Sequence, residues 1–207
     1  MLNTIRDVGG LWSPPVVFTP QNASANPALA VCTDGQMHVL YERTDQQIMY
    51  MHRSVAGVWD SAVDISLAPG HYCYIANIAV ASNGIVCAGW ADGTVSEVFF
   101  AVKTDGDTVW STPYNVSNSA TGSWIPKVAI GSDNVIHYIW AENTGAGSGE
   151  ICYRRRDTLG NWSATVNISN TSGDSRISGL TIDNANKLHI LWTEMPDAEV
   201  YYDTYPK

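Results

Sequence analysis

Short apolar runs separated by polar turn residues fill the chain from end to end. The runs are rich in β-branched and aromatic residues, as in "NVIHYIW" (134–140) and "NKLHILW" (186–192), and Gly, Asn, Asp, Ser or Pro bounds them. This pattern is typical of β-strands joined by tight turns. Because no stretch sustains the period of a helix, the sequence predicts an all-β protein.

The runs recur in a fixed order. A tryptophan marks one position of the repeat, at steps of 47, 51 and 52 residues: Trp12, Trp59, Trp110 and Trp162. Each repeat contains four predicted strands, named A to D, which in the first repeat are "ALAV", "MHVLY", "IMYMHR" and "WDSAVDIS". Four-stranded units at a period of about 50 residues are typical of β-propeller blades.

We therefore predict one β-propeller domain over residues 1–207, built of four-stranded antiparallel blades, four per chain. The approximate blades are 21–66, 67–117, 118–169, and 170–207 together with 1–20. The chain opens on a D-type strand and closes on a C-type strand, so the N-terminal strand is predicted to close the last blade. A four-bladed monomer, an eight-bladed ring of two chains and a piece of a larger propeller all fit this order.

Composition limits the partners. Hydrophobic residues make up 45% of the chain, charged residues 15%, and the formal net charge is −9. An acidic surface repels phosphate, so we expect no nucleic-acid partner, and no apolar run approaches the length of a membrane span. The N-terminus has no signal-peptide pattern, whereas Asn-x-Ser sequences at Asn115 and Asn167 fit an exported protein, so the compartment stays open.

The cysteines and histidines give no support for a metal site. Four widely spaced cysteines without a C-x-x-C pair are predicted to be mainly small buried hydrophobes: Cys32, Cys73, Cys87 and Cys152. Three histidines occupy equivalent B-strand positions: His38, His137 and His189. Since they lie on separate blades, we expect a structural role between blades rather than metal ligation, and we predict no cofactor.

The repeat resembles the BNR or sialidase-like propeller repeat over nearly the whole chain. The resemblance rests on the A strand "VAI", the B strand "IHYIW", the C strand "ICY" and the D strand "WSATVNIS". Members of that family carry an Asp box, Ser-x-Asp-x-Gly-x-x-Trp, at the C–D turn. Here the turn "SVAGVW" (54–59) keeps the serine, glycine and tryptophan but has no aspartate.

Sialidases of this family also begin an A strand with an aromatic-Arg-Ile-Pro motif, whose arginine grips a carboxylate. This chain divides the motif, because Arg176 is followed by Ile177 without the proline, while Trp124 replaces the arginine before Ile125 and Pro126. A sialidase needs three converging arginines, and only one matches. The resemblance therefore implies a sialidase-like propeller without catalysis.

The units differ most just before their A strands and just after their B strands. The candidate ligand-binding residues before the A strands are Tyr74, Trp124 and Arg176. Those after the B strands are Arg43, Asp92, Glu142 and Glu194. Aromatic rings stack on sugar faces, and arginine or carboxylates bond sugar hydroxyls, so this rim suits a sugar. Alternatively, the aromatic pair plugs the mouth of the channel, or two of the carboxylates act as acid and base in glycoside hydrolysis.

The sequence thus predicts a module that binds a carbohydrate or a protein on its loop-rich face, as a monomer or homodimer. The alternatives are a glycoside hydrolase of the sialidase-like type and a structural propeller or fragment without a ligand.

Overall fold

The computed structural model describes residues 2–3, 8–19, 23–104, 109–144 and 148–205. Across these ranges the chain forms seventeen β-strands, and none of its residues is helical. The all-β prediction is therefore confirmed. A membrane-spanning helix is likewise absent from these ranges.

The strands group into four units in chain order. Unit 1 comprises β3 (Ala23–Val31), β4 (Met37–Arg43), β5 (Ile48–Arg53) and β6 (Val63–Asp64). Unit 2 comprises β7 (Cys73–Val80), β8 (Val86–Asp92), β9 (Glu97–Lys103) and β10 (Tyr114–Asn115). Unit 3 comprises β11 (Ser123–Ile130), β12 (Ile136–Asn143), β13 (Gly149–Arg156) and β14 (Val166–Asn167). Unit 4 comprises β15 (Asp174–Ile182), β16 (Leu188–Met195) and β17 (Glu199–Tyr205). Each strand pairs antiparallel with the next one of its unit.

The N-terminal strand does not close unit 4 in this structure. The remaining strands, β1 (Leu2–Asn3) and β2 (Val16–Val17), pair with each other, and within the described residues β17 pairs with β16 alone. Phe18 follows β2 and stacks on Trp59 of unit 1, with ring centroids 4.3 Å apart. The segment after β2 thus packs its aromatic side chain on unit 1, while among the described residues β17 pairs on one side only.

The core consists of apolar layers between neighbouring units. One layer joins units 1 and 2, a second joins units 2 and 3, and a third joins units 3 and 4. The aromatic residue near the end of each B strand is buried in these layers or against the N-terminal segment: Tyr41, Trp90, Trp140 and Trp192. Their burial gives these four residues a packing role. Each inner sheet is therefore covered on both faces, which stabilises it by removing apolar surface from water.

The A strands are the innermost elements. Strand β3 packs against β7, β7 against β11, and β11 against β15. The Asn77 side chain of β7 accepts a hydrogen bond of 2.9 Å from the Val128 backbone N–H of β11. Neighbouring units are therefore joined at their inner edge by a polar contact as well as by apolar packing.

The series of units ends in an open face. On unit 4, the side away from unit 3 exposes Leu191, Val200 and Tyr202, at 42%, 66% and 59% of their full accessibility. The equivalent side of unit 2 is covered by unit 3, where Phe100 contacts Trp162 edge to face at 5.1 Å. The four units thus form an arc whose last face lacks a neighbour in this structure.

In units 1 to 3, a small group of polar side chains, here named the polar corner, links the start of the C strand to the end of the D strand. In unit 3 the Ser169 hydroxyl donates to the Glu150 carboxylate and accepts from the Ile151 backbone N–H at 2.8 Å. The Asn167 side chain accepts from the Asn170 N–H at 2.9 Å and holds the following turn. Units 1 and 2 repeat this corner with Gln47, Ser66 and Asp64, and with Glu97, Ser117 and Asn115. The Asn-x-Ser sequences therefore have a structural role in the turn.

Gly89 lies at a close contact between units 2 and 3. The Tyr138 ring of unit 3 lies so close that a Cβ atom at Gly89 would be 2.6 Å from its Cε2 atom. The Tyr138 hydroxyl donates to the Phe99 carbonyl at 2.8 Å, so the ring is held in place. We expect Gly89→Ala to lower the free energy of unfolding by about 1–3 kcal/mol through overpacking.

Urea unfolding followed by tryptophan fluorescence measures this loss. The matched control is Gly179→Ala, also in a strand, where the new Cβ would be 3.9 Å from the nearest atom and no loss of that size is expected. Equal stabilities of Gly89→Ala and the unmodified protein would contradict the proposed close packing.

Candidate functional site

The predicted site positions lie at one end of the sheets. Within the units, Tyr74 is opposite Ala91, Trp124 is opposite Ala141, and Arg176 is opposite Thr193. Each of these partners directly precedes the B-strand candidate of its unit. The register therefore places the A-strand candidate of each of these units beside its B-strand candidate. All seven candidates lie within the strands, not before the A strands or after the B strands as predicted, because the strand pairing extends further than the sequence pattern indicates.

A backbone bulge turns these positions out of the regular sheet. Asn26, Ile75 and Ile125 have φ angles of 49°, 49° and 53°, and the strand register shifts beside each of them. A β-branched residue in the left-handed region is strained by about 1–3 kcal/mol, so packing must hold it there. Bulges redirect neighbouring side chains. No sequence signal indicates this bulge, since isoleucine disfavours the conformation.

The two aromatic candidates combine a structural role with partial exposure. Tyr74 stacks on Tyr72, with ring centroids 4.7 Å apart, and packs against the layer between units 2 and 3. Trp124 packs against the layer between units 3 and 4, beside Gly149 and Asp174. Both side chains are half-buried. They therefore cover the ends of the core layers and still present part of each ring to solvent.

The two arginine candidates are paired with acids close to them in the sequence. Arg176 contacts Asp174, with Nη2 2.8 Å from Oδ2, and Arg43 contacts Asp45, with Nη2 2.6 Å from Oδ2. Asp174 also accepts a hydrogen bond of 2.8 Å from the Gly149 backbone N–H. Each guanidinium is thus oriented by a neighbouring carboxylate.

The three carboxylate candidates are held by donors of their own surroundings. Glu142 and Glu194 accept hydrogen bonds of 2.8 Å from the indole N–H groups of Trp140 and Trp192, two residues earlier. Asp92 lies 2.6 Å from Nδ1 of His71. Asp92 and Glu194 are buried, whereas Glu142 is half-buried. A buried tryptophan therefore fixes the carboxylate in units 3 and 4, and a loop histidine does so in unit 2.

Each of these carboxylates lines a separate cavity under the loop that enters its unit. We call them the first, second and third loop cavities, with volumes of about 400, 480 and 370 Å³. The first contains Asp92 with Ser66, His71 and Phe99; the second contains Glu142 with Ser119, Thr121 and Thr144; the third contains Glu194 with Ser148, Thr171 and Tyr201. The same combination of a fixed carboxylate and loop hydroxyls thus recurs in three units.

The seven candidate residues are not gathered in one of these cavities. The carboxylates lie in three different ones, and the four other candidates line none of the three: Tyr74, Trp124, Arg43 and Arg176. A binding role for those four stays a prediction. The loop hydroxyls were not among the residues predicted from the sequence, and neither were two C-strand rings, Phe99 and Tyr201. These rings stack on the buried tryptophans of their units. The aromatic pairs "FF" and "YY" in the C strands were the available signal.

The repeated histidines each bond a tyrosine of their own unit, while their predicted structural role between units stays a prediction. Nδ1 of each is hydrogen-bonded to a C-strand tyrosine hydroxyl at 2.6–2.9 Å: His38 to Tyr50, His137 to Tyr153, and His189 to Tyr202. The cause is the antiparallel B–C register, which places both rings on one face. Among the described residues, no group of three or more His, Cys, Asp or Glu side chains could hold a metal ion.

His137 makes stability depend on pH. His137 is 5% exposed, and among the described residues its buried Nε2 atom has no hydrogen-bond partner. Burial lowers the pKa of His137 below its ordinary value of 6.5. The unfolded chain therefore binds a proton that the folded protein resists, so stability is lost as the pH falls through 6.5.

We expect the free energy of unfolding to fall more steeply between about pH 7.5 and pH 5.5 in the unmodified protein than in His137→Gln. Urea titrations of both proteins at several pH values measure the two pH profiles. The difference between the profiles isolates the contribution of His137, because all other titrating groups are the same in both proteins. Parallel pH profiles would contradict the assignment.

Comparisons with known proteins bear on the fold. No protein-family model matches the chain, and no curated protein matches it in sequence. The BP39L lectin from Burkholderia pseudomallei resembles it with a TM-score of 0.63 and 18% identity, over 93% of this chain and 59% of the lectin. The Hadza microbial sialidase Hz136 gives 0.60 and 12%, over 88% and 44%. An arabinanase of Penicillium chrysogenum complexed with arabinobiose gives 0.62 and 10%, over 91% and 65%.

The fold is of the β-propeller type. At these low identities the likeness concerns the fold alone, and the chain spans less than two thirds of each of the three neighbouring proteins. The propeller interpretation of the repeat thus agrees with the solved structures, while the Asp-box subtype and the number of blades in a closed ring stay predictions.

Proposed function

We propose that this protein is a carbohydrate-binding propeller without catalysis, and that its loop cavities bind neutral sugars. One observation carries the proposal: three units present equivalent cavities, each with an oriented carboxylate and several hydroxyl groups. A repeated site is useful for a binding protein, since several weak sites on one scaffold raise the avidity for a multivalent glycan.

The chemistry of the cavities favours uncharged sugars. A fixed carboxylate accepts hydrogen bonds from sugar hydroxyls, and charge-assisted hydrogen bonds of this kind are strong. Phe99 in the first cavity and Tyr201 in the third add aromatic surface for the apolar face of a sugar ring. Among the described residues, no lysine or arginine lines any of the three cavities, and Arg176 beside the third one is already paired with Asp174. An anionic sugar would therefore be repelled by the carboxylate of each cavity. The lectin among the structural neighbours supports this class of function.

Hydrolysis is the second candidate, and the third loop cavity is the observation that favours it. Asp174, Glu194 and Asp197 all line this cavity, and glycosidases use a pair of carboxyl groups. Burial would raise the pKa of Asp174, but the hydrogen bonds from Gly149 and Arg176 outweigh it and lower the pKa. Asp174 thus stays ionised and cannot serve as the general acid near neutral pH. A hydrolytic role would therefore need Glu194 or Asp197 as the acid.

Calorimetric titration with neutral mono- and oligosaccharides tests the proposal. We expect several equivalent weak sites per chain in the unmodified protein. Glu142→Gln should remove one of them, because the amide keeps the bond from Trp140 but loses the charge that strengthens the bonds to the sugar. The stoichiometry should then fall by one site, with the other sites unchanged.

Asp133→Asn is the matched control, because Asp133 lies in a turn between A and B strands, at the opposite end of the sheets. It should leave the stoichiometry unchanged. An unaltered titration in Glu142→Gln would contradict the second loop cavity as a site. Turnover of a chromogenic glycoside that disappears in Glu194→Gln would support hydrolysis instead, and loss of binding in Trp124→Ala or Arg176→Ala alone would move the site to the rim.

We further propose that the open face of unit 4 receives unit 1 of a second copy of this chain. In unit 1, Tyr50 meets Trp110 of the next unit edge to face, with ring centroids 4.9 Å apart. Tyr202 occupies the same position in unit 4, but is exposed. Unit 1 carries the matching tryptophan, Trp59, which stacks on Phe18 and would meet Tyr202 beside that contact. The repeat thus supplies both halves of a further contact, and two such contacts related by a two-fold axis would join two chains into a ring.

Light scattering during size-exclusion chromatography measures the mass in solution. We expect about twice the chain mass of 22.5 kDa for the unmodified protein, and 22.5 kDa for Tyr202→Glu, since a charge in that interface would be desolvated without a partner. Leu159→Glu, at an exposed position in the C–D turn of unit 3, which the proposed interface does not use, is the control and should keep the dimer. A mass of 22.5 kDa for the unmodified protein would contradict the two-chain assembly.

A further inference from the structure

A larger cavity lies at the other end of the sheets, away from the loop cavities. Its volume is about 660 Å³, and it is formed between units 1 and 2 by their A–B turns and by the ends of their C strands. Cys32, His38 and His52 line it together with Asp34, Asp60 and Lys103. The proposed carbohydrate sites use none of these side chains.

A thiol, an imidazole and a phenol form a connected chain at this cavity. Cys32 Sγ lies 3.2 Å from His38 Nε2, and His38 Nδ1 lies 2.8 Å from the Tyr50 hydroxyl. Burial raises the pKa of Tyr50, so its hydroxyl stays protonated and can donate to or accept from the ring. The imidazole is therefore held at one nitrogen and faces the thiol with the other, which is the arrangement that allows histidine to take a thiol proton.

The repeat shows that this geometry is built into the fold. In unit 4, Asp183 occupies the position of Cys32, and its carboxylate lies 3.1 Å from Nε2 of His189. That histidine is held by Tyr202, as His38 is by Tyr50. The residue after the A strand thus reaches the same imidazole nitrogen in both units. Units 2 and 3 have Ala81 and Gly131 there, so within the described chain only unit 1 presents a sulfur atom to the ring.

The other three cysteines differ from Cys32 in their surroundings. Cys73, Cys87 and Cys152 are 0%, 0% and 6% exposed, whereas Cys32 is half-buried. Burial raises the pKa of Cys73 and of Cys152 to about 12, and it raises that of Cys87 further. Since the thiolate is the reactive form, these three thiols are inert near neutral pH.

We propose that Cys32 is a nucleophile that exchanges with small amino-acid-derived disulfides bound in this cavity. His38 takes the Cys32 proton, and the thiolate attacks one sulfur of the small disulfide. A new S–S bond forms at Cys32 as the old one breaks, and the departing thiolate receives the proton from His38. The products are a mixed disulfide and one free thiol, so the small disulfide itself is the oxidant.

The charges around the cavity match a zwitterionic ligand. Lys103 can pair with a carboxylate, while Asp34 and Asp60 can pair with an ammonium group. His52 is held by Asp60 and Gln36, at 2.9 and 2.7 Å, and adds a further titratable group beside His38. A peptide disulfide such as glutathione disulfide carries both kinds of charge.

Incubation with glutathione disulfide at pH 7, followed by intact mass and peptide mapping, tests the proposal. We expect one added glutathionyl group, located on Cys32, and none in Cys32→Ser. His38→Gln should slow the addition roughly tenfold, because the thiol loses its proton acceptor. His189→Gln is the matched control, since it changes the equivalent imidazole of unit 4 and should leave the rate unchanged.

Two further variants keep the test decisive. Tyr50→Phe leaves the His38 ring in place but frees its Nδ1 atom, so it should slow the reaction several-fold even if His38→Gln fails to fold. Lys103→Gln should slow glutathione disulfide but not the uncharged bis(2-hydroxyethyl) disulfide. Absence of addition, modification of a buried cysteine instead, or equal rates in the unmodified protein and both His38→Gln and Tyr50→Phe would overturn the proposal.

Discussion

Face-to-face burial between successive sheets is the interaction on which this structure depends. No unit is thick enough to hide its own apolar side chains, so each sheet is stable only because its neighbours cover it. Trp90 and Trp140 show the principle, since each is buried in the layer that its unit shares with the preceding one. Gly89 has no side chain and therefore leaves room for the Tyr138 ring of the next unit. The residues that the four repeats share are largely those that make these layers.

The same constraint leaves the ends of the sheets free to vary. Loop side chains contribute little to the layers, so chemistry can change there at small cost to stability. Glu142 is an example. The Trp140 ring is buried in the core, and its indole N–H donates a hydrogen bond to the Glu142 carboxylate at the end of the sheet. Core packing thereby positions a polar group at the surface without a dedicated support of its own.

The strand pattern was predictable because each inner sheet is buried on both faces, so apolar residues recur at equivalent positions in every repeat. The order of the strands followed from it, and the residues near the starts of the A strands and the ends of the B strands could be assigned to one end of the units. Other features left no readable trace. Ile125 adopts a left-handed φ against its own preference, Phe18 is captured by Trp59, and the loop cavities depend on backbone shape. Equal spacing in sequence also hid the fact that each histidine bonds a tyrosine of its own unit, as in the pair His137 and Tyr153.

The histidine–tyrosine pair has a consequence for how the repeats diverge. Unit 2 lacks both members, with Cys87 and Phe100 in their places, so the polar pair is replaced by an apolar one. A single change would strand an imidazole or a phenol in the core without its partner, at a cost of about 1–3 kcal/mol. The two positions are therefore expected to change together, because a sequence with only one of the two replacements is less stable than either pair. Replacement of a whole unit changes both positions at once and avoids that less stable intermediate.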